Sequence, residues 1–216
     1  MSRYKFLLYF VLSVFIFFVV QELIFLNVPL ILSYSSSSAI FKYISGVCIF
    51  LIVRHNYNPA KGLSPLSIGL VVCTFLVYQQ YLQISIAYIL YMLGIVFFEE
   101  VVFRHAFWEL AIYYKISYHY ILLWSALLFG LLHLVNFYYG DPLNMVLFQM
   151  AYTTMMGLSL GYVYFATRSL LLVTLMHTVI NITKIPLDSF NVYLLFLVGF
   201  AVVGFALLRN KRLFLQ

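Results

Sequence analysis

The sequence predicts an all-α, polytopic membrane protein of about eight transmembrane helices. Three observations lead there. Hydrophobic residues make up 65% of the chain and charged ones only 8%, whereas a soluble domain carries roughly 25% charged residues. Mean hydropathy is +1.05. The apolar residues also fall into long runs separated by short polar breaks. At roughly 20 apolar residues per span, the 216 residues are expected to form one integral membrane unit over 1–216, without a separate soluble domain. Disorder and low-complexity architectures need polarity that this chain lacks.

Charges, prolines and polar clusters divide the chain into apolar spans near Phe6 to Leu26, Ala39 to Val53, Leu66 to Tyr78, Ile84 to Tyr114, His119 to Phe137, Leu143 to Ala166, Leu170 to Ile185 and Val192 to Leu208. The first follows Met-Ser-Arg-Tyr-Lys. Its apolar run is too long for a signal peptide and no small-residue cleavage site follows, so it reads as a retained anchor. The connections carry turn-forming residues: four serines in Tyr34 to Ser38, two prolines and Gly62 in Asn56 to Pro65, Gly140-Asp141-Pro142, and Pro186 to Asn191. Several spans are shorter than a full crossing and one is long, which predicts tilt and partial burial. Gly157 and Gly161 form a small-x-x-x-small face suited to close helix packing. Cys48 and Cys73 lie inside apolar runs at no metal-ligand spacing and read as packing residues.

Orientation follows from the basic residues. In an eight-span arrangement Arg3, Lys5, Arg54, Lys61, Arg104, Lys115, Arg168, Arg209, Lys211 and Arg212 fall on one side or on the helix end nearest it, and only Lys42 and Lys184 fall on the other. The positive-inside rule then places both termini in the cytoplasm. These basic helix ends also account for the net charge of +6. They form no stripe of the kind that reads phosphate, so no nucleic acid is expected as a partner.

Ionisable side chains in hydrocarbon are costly unless paired or facing a cavity, so their positions are informative. Two of the six acids, Glu99 and Glu100, stand side by side in Gly-Ile-Val-Phe-Phe-Glu-Glu-Val-Val-Phe-Arg-His. Helical periodicity puts Glu100 and Arg104 one turn apart, where they can pair. Glu99 points about 100° away and has no partner at that spacing. A carboxylate tied to arginine is held ionised and weakly basic, which makes Glu99 the better general base. The competing reading is a structural knot of both acids with Arg104 and His105.

Two histidines complete the pattern. His133 follows Phe129 by one turn, and His177 precedes Asn181 by one turn; both are expected mid-span. A lone histidine in such a helix is more often a packing residue, but two of them beside an unpaired glutamate point to chemistry. At 1.5 Å per residue, Glu99 and His133 lie roughly 24 and 27 Å from Lys115 along their helices, so they can meet in one cavity with His177 and Asn181. Away from this set, His105 and Glu109 are one turn apart and read as a structural pair. Gln21 and Glu22 mark the exit of the first span, and His55 and His119 lie in or beside loops.

The pattern resembles the CPBP family of intramembrane proteases, which includes the CAAX prenyl proteases and many bacterial bacteriocin-processing or self-immunity proteins. Three motifs in order carry the resemblance: Glu-Glu-x-x-x-Arg at Glu99, Glu100 and Arg104; Phe-x-x-x-His at Phe129 and His133; and His-x-x-x-Asn at His177 and Asn181. It implies that Glu99 and His133 activate a water for attack on a peptide carbonyl. His177 and Asn181 would donate to the oxyanion, and Glu100 with Arg104 would hold the site together. A base and oxyanion donors are what such hydrolysis needs.

Glu99, His133 and His177 also make a His₂Glu set of the type that binds catalytic zinc, but the usual His-Glu-x-x-His helix is absent. In the zinc arrangement Glu100 would have to serve as base while paired with Arg104. Metal-independent chemistry is therefore favoured over zinc, with no cofactor. The resemblance implies a peptide or membrane-protein substrate in the bilayer, and the small chain looks like the bacterial branch in a cell membrane, in bacteriocin self-immunity or peptide maturation. Two alternatives stand beside the protease: a non-catalytic immunity or scaffold protein of the same fold, and a transporter or proton relay. Against the relay, no pair of Gly- or Pro-broken spans is seen.

Overall fold

In a computed structural model of the protein the described residues are 9, 10, 12–14, 16, 34–53 and 86–182. Among them every regular element is helical: α1 (Tyr34–Val53), α2 (Ile86–Glu100), a π-helical segment (Val101–Ala106), α3 (Phe107–Tyr113), α4 (Tyr118–Leu132), α5 (Val135–Tyr138), α6 (Leu143–Thr167) and α7 (Leu170–Ile182). The all-helical expectation is met over these residues.

α2, the π segment and α3 run without interruption from Ile86 to Tyr113 and form a central rod. Every residue from Glu100 to Trp108 is buried, the charged Glu100 and Arg104 included. α1, α4 and α7 supply the cover. Phe103, Phe107 and Trp108 meet Phe129 of α4 and Tyr164 of α6 in one cluster.

α4 and α6 pack side by side through glycine. A Cβ on Gly157 would lie 3.1 Å from the Ala126 Cα, one on Gly161 2.7 Å from Leu122 Cδ1, and one on Gly130 would overlap the Thr154 hydroxyl and lie 2.8 Å from the Met150 carbonyl oxygen. The pairs run in opposite directions along the chain, so the helices are antiparallel and close at each successive turn. The small-residue face expected at Gly157 and Gly161 is thus a packing seam.

The helix ends follow local chemistry. Lys115 (φ 56) and Arg168 (φ 55) take left-handed conformations that stop α3 and α6. The Arg168 guanidinium then lies 5.7–5.9 Å from the ring centres of Trp108, Tyr118 and Phe165, joining the ends of α3, α4 and α6. Ser169 accepts the Leu172 N–H at 3.2 Å and caps α7. At the opposite end, Gly140 (φ +96) and Pro142 form the turn that starts α6.

Several expected boundaries change. Tyr34 to Ser38, expected as a connection, are the first residues of α1; serine has ordinary helix propensity, and no Gly or Pro interrupts the run. The span expected from His119 to Phe137 is broken by a turn at His133 and Leu134. Even so, Tyr118–Tyr138 as a whole (21 residues, mean hydropathy 1.8) is the one stretch among the described residues long and apolar enough to cross a membrane; Phe41–Leu51 and Leu170–Ile182 are shorter apolar helices. The spans expected near Leu66 to Tyr78 and Val192 to Leu208, and most of Phe6 to Leu26, lie outside the described residues.

Candidate active site

Glu99 and Glu100 are the last two residues of α2, at the entry to the π segment. A π turn inserts a residue into the helical repeat and re-aims the side chains on either side of it. Glu100 and Arg104 are both fully buried, with Glu100 Oε2 3.2 Å from Arg104 Nε. The contact is coulombic: no N–H of Arg104 is aimed so as to form a hydrogen bond with a described residue. The other carboxylate oxygen, Oε1, accepts from Nδ1 of His177 at 2.8 Å. The pairing of Glu100 with Arg104 expected from their spacing is present, and the bond to His177, from a helix far along the chain, is a finding of the structure.

His177 is 1% exposed and stands between the two glutamates: its Nδ1 faces Glu100, and its Nε2 lies 3.8 Å from Oε2 of Glu99. Glu99 itself is 22% exposed, so it retains access that Glu100 lacks. Since Nδ1–H is committed to Glu100, Nε2 is the ring nitrogen left for the site.

His133 does not stand inside a helix. It caps the C-terminal end of α4, where its own N–H turns back to the Gly130 carbonyl at 3.0 Å. Its ring Nδ1 lies 3.0 Å from the Phe129 carbonyl oxygen. A carbonyl only accepts, so Nδ1 carries the proton and the lone pair of the neutral ring is on Nε2. The helix end, which leaves carbonyls without intrahelical donors, therefore fixes the histidine tautomer.

Phe129 connects the set. Its ring centre lies 5.4 Å from that of His133 and 5.6 Å from that of His177, and the Arg104 guanidinium stands 4.8 Å over it. Glu99, Glu100, Arg104, Phe129, His133 and His177 are thus brought together from the rod, α4 and α7. Asn181 lies one turn beyond His177 on α7 and is half-buried; no described contact ties it to the other six.

Other expectations resolve differently. His105 shares a hydrogen bond with the Tyr164 hydroxyl at 3.2 Å and packs its ring on Phe50, and this contact takes the place of the expected pairing with Glu109. Burial of the π segment is the reason, because it turns His105 into the helix interface. Cys48 is an exposed free thiol on α1, and His119 lies in the first turn of α4. Gln21, Glu22, His55 and Cys73 lie outside the described residues.

Glu99, His133 and His177 are all described, yet among the described residues no three His, Cys, Asp or Glu side chains are grouped so as to hold a metal ion. Glu99 and His177 are neighbours, with His177 Nε2 3.8 Å from Glu99 Oε2.

Comparison with curated proteins and with solved structures returned no match. The family model of the type II CAAX prenyl endopeptidases, Rce1-like, matches residues 81–183. That range contains all three motifs and every residue of the site described above. Over residues 81–183 the chain is therefore similar to the Rce1-like type II CAAX prenyl endopeptidases, which supports the resemblance to the intramembrane proteases that the three motifs carry.

Proposed function

We propose that the protein is an intramembrane endopeptidase in which Glu99 and His133 activate a water molecule. The water oxygen attacks the carbonyl carbon of a peptide bond, and its proton passes to this pair. His177, carrying a proton on Nε2 as well as the Nδ1–H held by Glu100, and Asn181 donate to the oxyanion as it forms; collapse of the tetrahedral intermediate breaks the C–N bond and returns the water-derived proton to the leaving amine. Glu100 orients the His177 ring through Nδ1, and Arg104 balances the Glu100 charge. The observation that carries this reading is the convergence of Arg104, His133 and His177 on the Phe129 ring, with Glu100 bound to Arg104 and His177 and Glu99 beside His177.

The chemistry is metal-independent in this reading. It gives each residue one role, and the tautomer that Phe129 imposes on His133 leaves Nε2 free to accept a proton. The substrate is a peptide or membrane protein presented from the bilayer. The family name points to a C-terminal CAAX sequence bearing a prenyl group, and bacteriocin self-immunity or peptide maturation is the setting proposed for it. Both termini are placed in the cytoplasm of a bacterial cell membrane, with eight spans.

The test uses the purified protein in lipid nanodiscs, incubated with prenylated and unprenylated CAAX peptides and with unmodified peptides in H₂¹⁸O, with products read by mass spectrometry. One ¹⁸O atom is expected in the new carboxylate, with cleavage lost in Glu99→Gln. If no peptide is cut while a cellular immunity phenotype persists in Glu99→Gln, the non-catalytic scaffold reading replaces this one.

A further inference from the structure

The break after α4 is braced from a different helix. Asn136 lies in the short α5 turn, with its N–H on the His133 carbonyl at 3.1 Å, and its own carbonyl accepts the Asp141 N–H at 3.1 Å. Its side-chain Nδ2 donates to Oε1 of Gln149 on α6 at 2.8 Å. Both side chains are half-buried in an apolar stretch. α6 is held close to α4 by the seam at Gly130, Thr154 and Gly157, so Gln149 is a fixed point against which the turn is held.

From this we infer that Asn136 and Gln149 are positioning residues for His133. The hydrogen bond between them fixes the turn at His133 and Leu134, the turn keeps the His133 ring against the Phe129 carbonyl, and that contact sets which ring nitrogen takes the proton from water. Neither residue belongs to the three motifs. The inference rests on the endopeptidase reading for its catalytic consequence, but its geometric content does not depend on it. A polar pair spent only on joining helices could sit anywhere along the α4–α6 seam; this one sits three residues beyond the histidine whose carbonyl its backbone holds.

The experiment is ¹⁵N NMR of histidine-labelled protein in micelles, with the His133 signals assigned by their loss in His133→Gln, alongside kcat and KM on a cleaved peptide. The variants are Asn136→Leu, Gln149→Met and the swap Asn136→Gln with Gln149→Asn. A single interhelical hydrogen bond contributes little to membrane-protein stability, so these variants are expected to fold. Wild type is expected to show Nδ1 protonated and Nε2 bare at His133. Asn136→Leu and Gln149→Met should each mix the two tautomers and lower kcat roughly 10- to 100-fold, the scale on which a misplacement of about 1 Å acts, with KM unchanged. The swap should restore the wild-type spectrum and most of kcat. Wild-type His133 signals and kcat in both single variants, or a loss of thermal stability with the tautomer intact, would overturn the inference. Because the spectrum is read without substrate, a chain that cleaves nothing refutes the endopeptidase reading alone, while an unperturbed spectrum refutes the positioning role alone.

Discussion

Deleting the Glu100 carboxylate should be the most damaging single change in the site. Glu100 and Arg104 are both fully buried at 3.2 Å, and Glu100 also takes the His177 Nδ1–H at 2.8 Å. In Glu100→Ala the guanidinium stays behind without its close partner, with only the Glu99 charge still acting on it, and breaking one side of a buried pair costs about 3–5 kcal/mol. A neutral interhelical hydrogen bond in a membrane protein averages only about 0.6 kcal/mol, so the charge decides the outcome and the hydrogen bond does not. Against a total stability of about 5–15 kcal/mol, the loss is large enough to lower the amount of folded protein. The assay is an unfolding titration of purified protein in mixed micelles with increasing SDS, followed by circular dichroism. Glu100→Gln combined with Arg104→Met removes both charges, keeps an acceptor for His177, and should recover most of the stability. Glu99→Gln, at a partly exposed site 3.8 Å from its neighbour, should cost under about 1 kcal/mol. If Glu100→Ala unfolds within about 1 kcal/mol of wild type, the buried pair is not what stabilises this part of the core.

Four further outcomes are expected. Glu99→Gln and His133→Ala should each lower peptide hydrolysis by about 10²- to 10⁴-fold, the usual contribution of a general base, while circular dichroism and size-exclusion profiles stay those of wild type; full hydrolysis in either variant removes that residue from water activation. Gly130→Ala should destabilise by about 1–3 kcal/mol through overpacking, since the added Cβ meets the Thr154 hydroxyl and the Met150 carbonyl; a wild-type unfolding midpoint would mean that α4 and α6 can separate freely. Exhaustive chelation should leave hydrolysis intact, and elemental analysis should find zinc well below one per chain; activity lost on chelation and restored by zinc would make Glu99 a ligand. Reporter fusions after Lys61 should give the cytoplasmic signal and fusions after Asp141 the external one, and the reverse at either position would break the eight-span topology.

The parts of the site carried by one helix were legible in the sequence. Glu100 and Arg104 are one turn apart, and periodicity alone predicts their contact. His133 and His177 stand out because imidazoles are scarce in such apolar surroundings. What the sequence could not show is how the helices meet. The bond from Glu100 to His177 joins residues 77 positions apart, and no spacing rule reaches that far. The π segment has no composition signal, since Val101 to Ala106 read as ordinary helix, and the end of α4 at His133 lacks the Gly or Pro that usually announces a break. Asn136 and Gln149 were open to notice as polar residues in apolar runs, although only their 2.8 Å contact shows that they act together.

The two backbone irregularities that the sequence hides stand at the residues to which the proposed reaction assigns the most chemical work. An unbroken α-helix from Ile86 to Tyr113 would keep its side chains in one regular sweep around the rod. The π segment interrupts that sweep directly after Glu99 and Glu100, and Glu100 there meets both Arg104 on its own helix and His177 on α7. Ending α4 at His133 serves the same purpose by another route. It releases the Phe129 carbonyl to the imidazole and leaves the Phe129 ring between two histidines and an arginine. Regular helices satisfy their backbone internally and so have little to offer a reacting group in lipid. Where this rod and this helix depart from regularity, backbone and side chains become available to a site, and both departures lie inside the matched family segment.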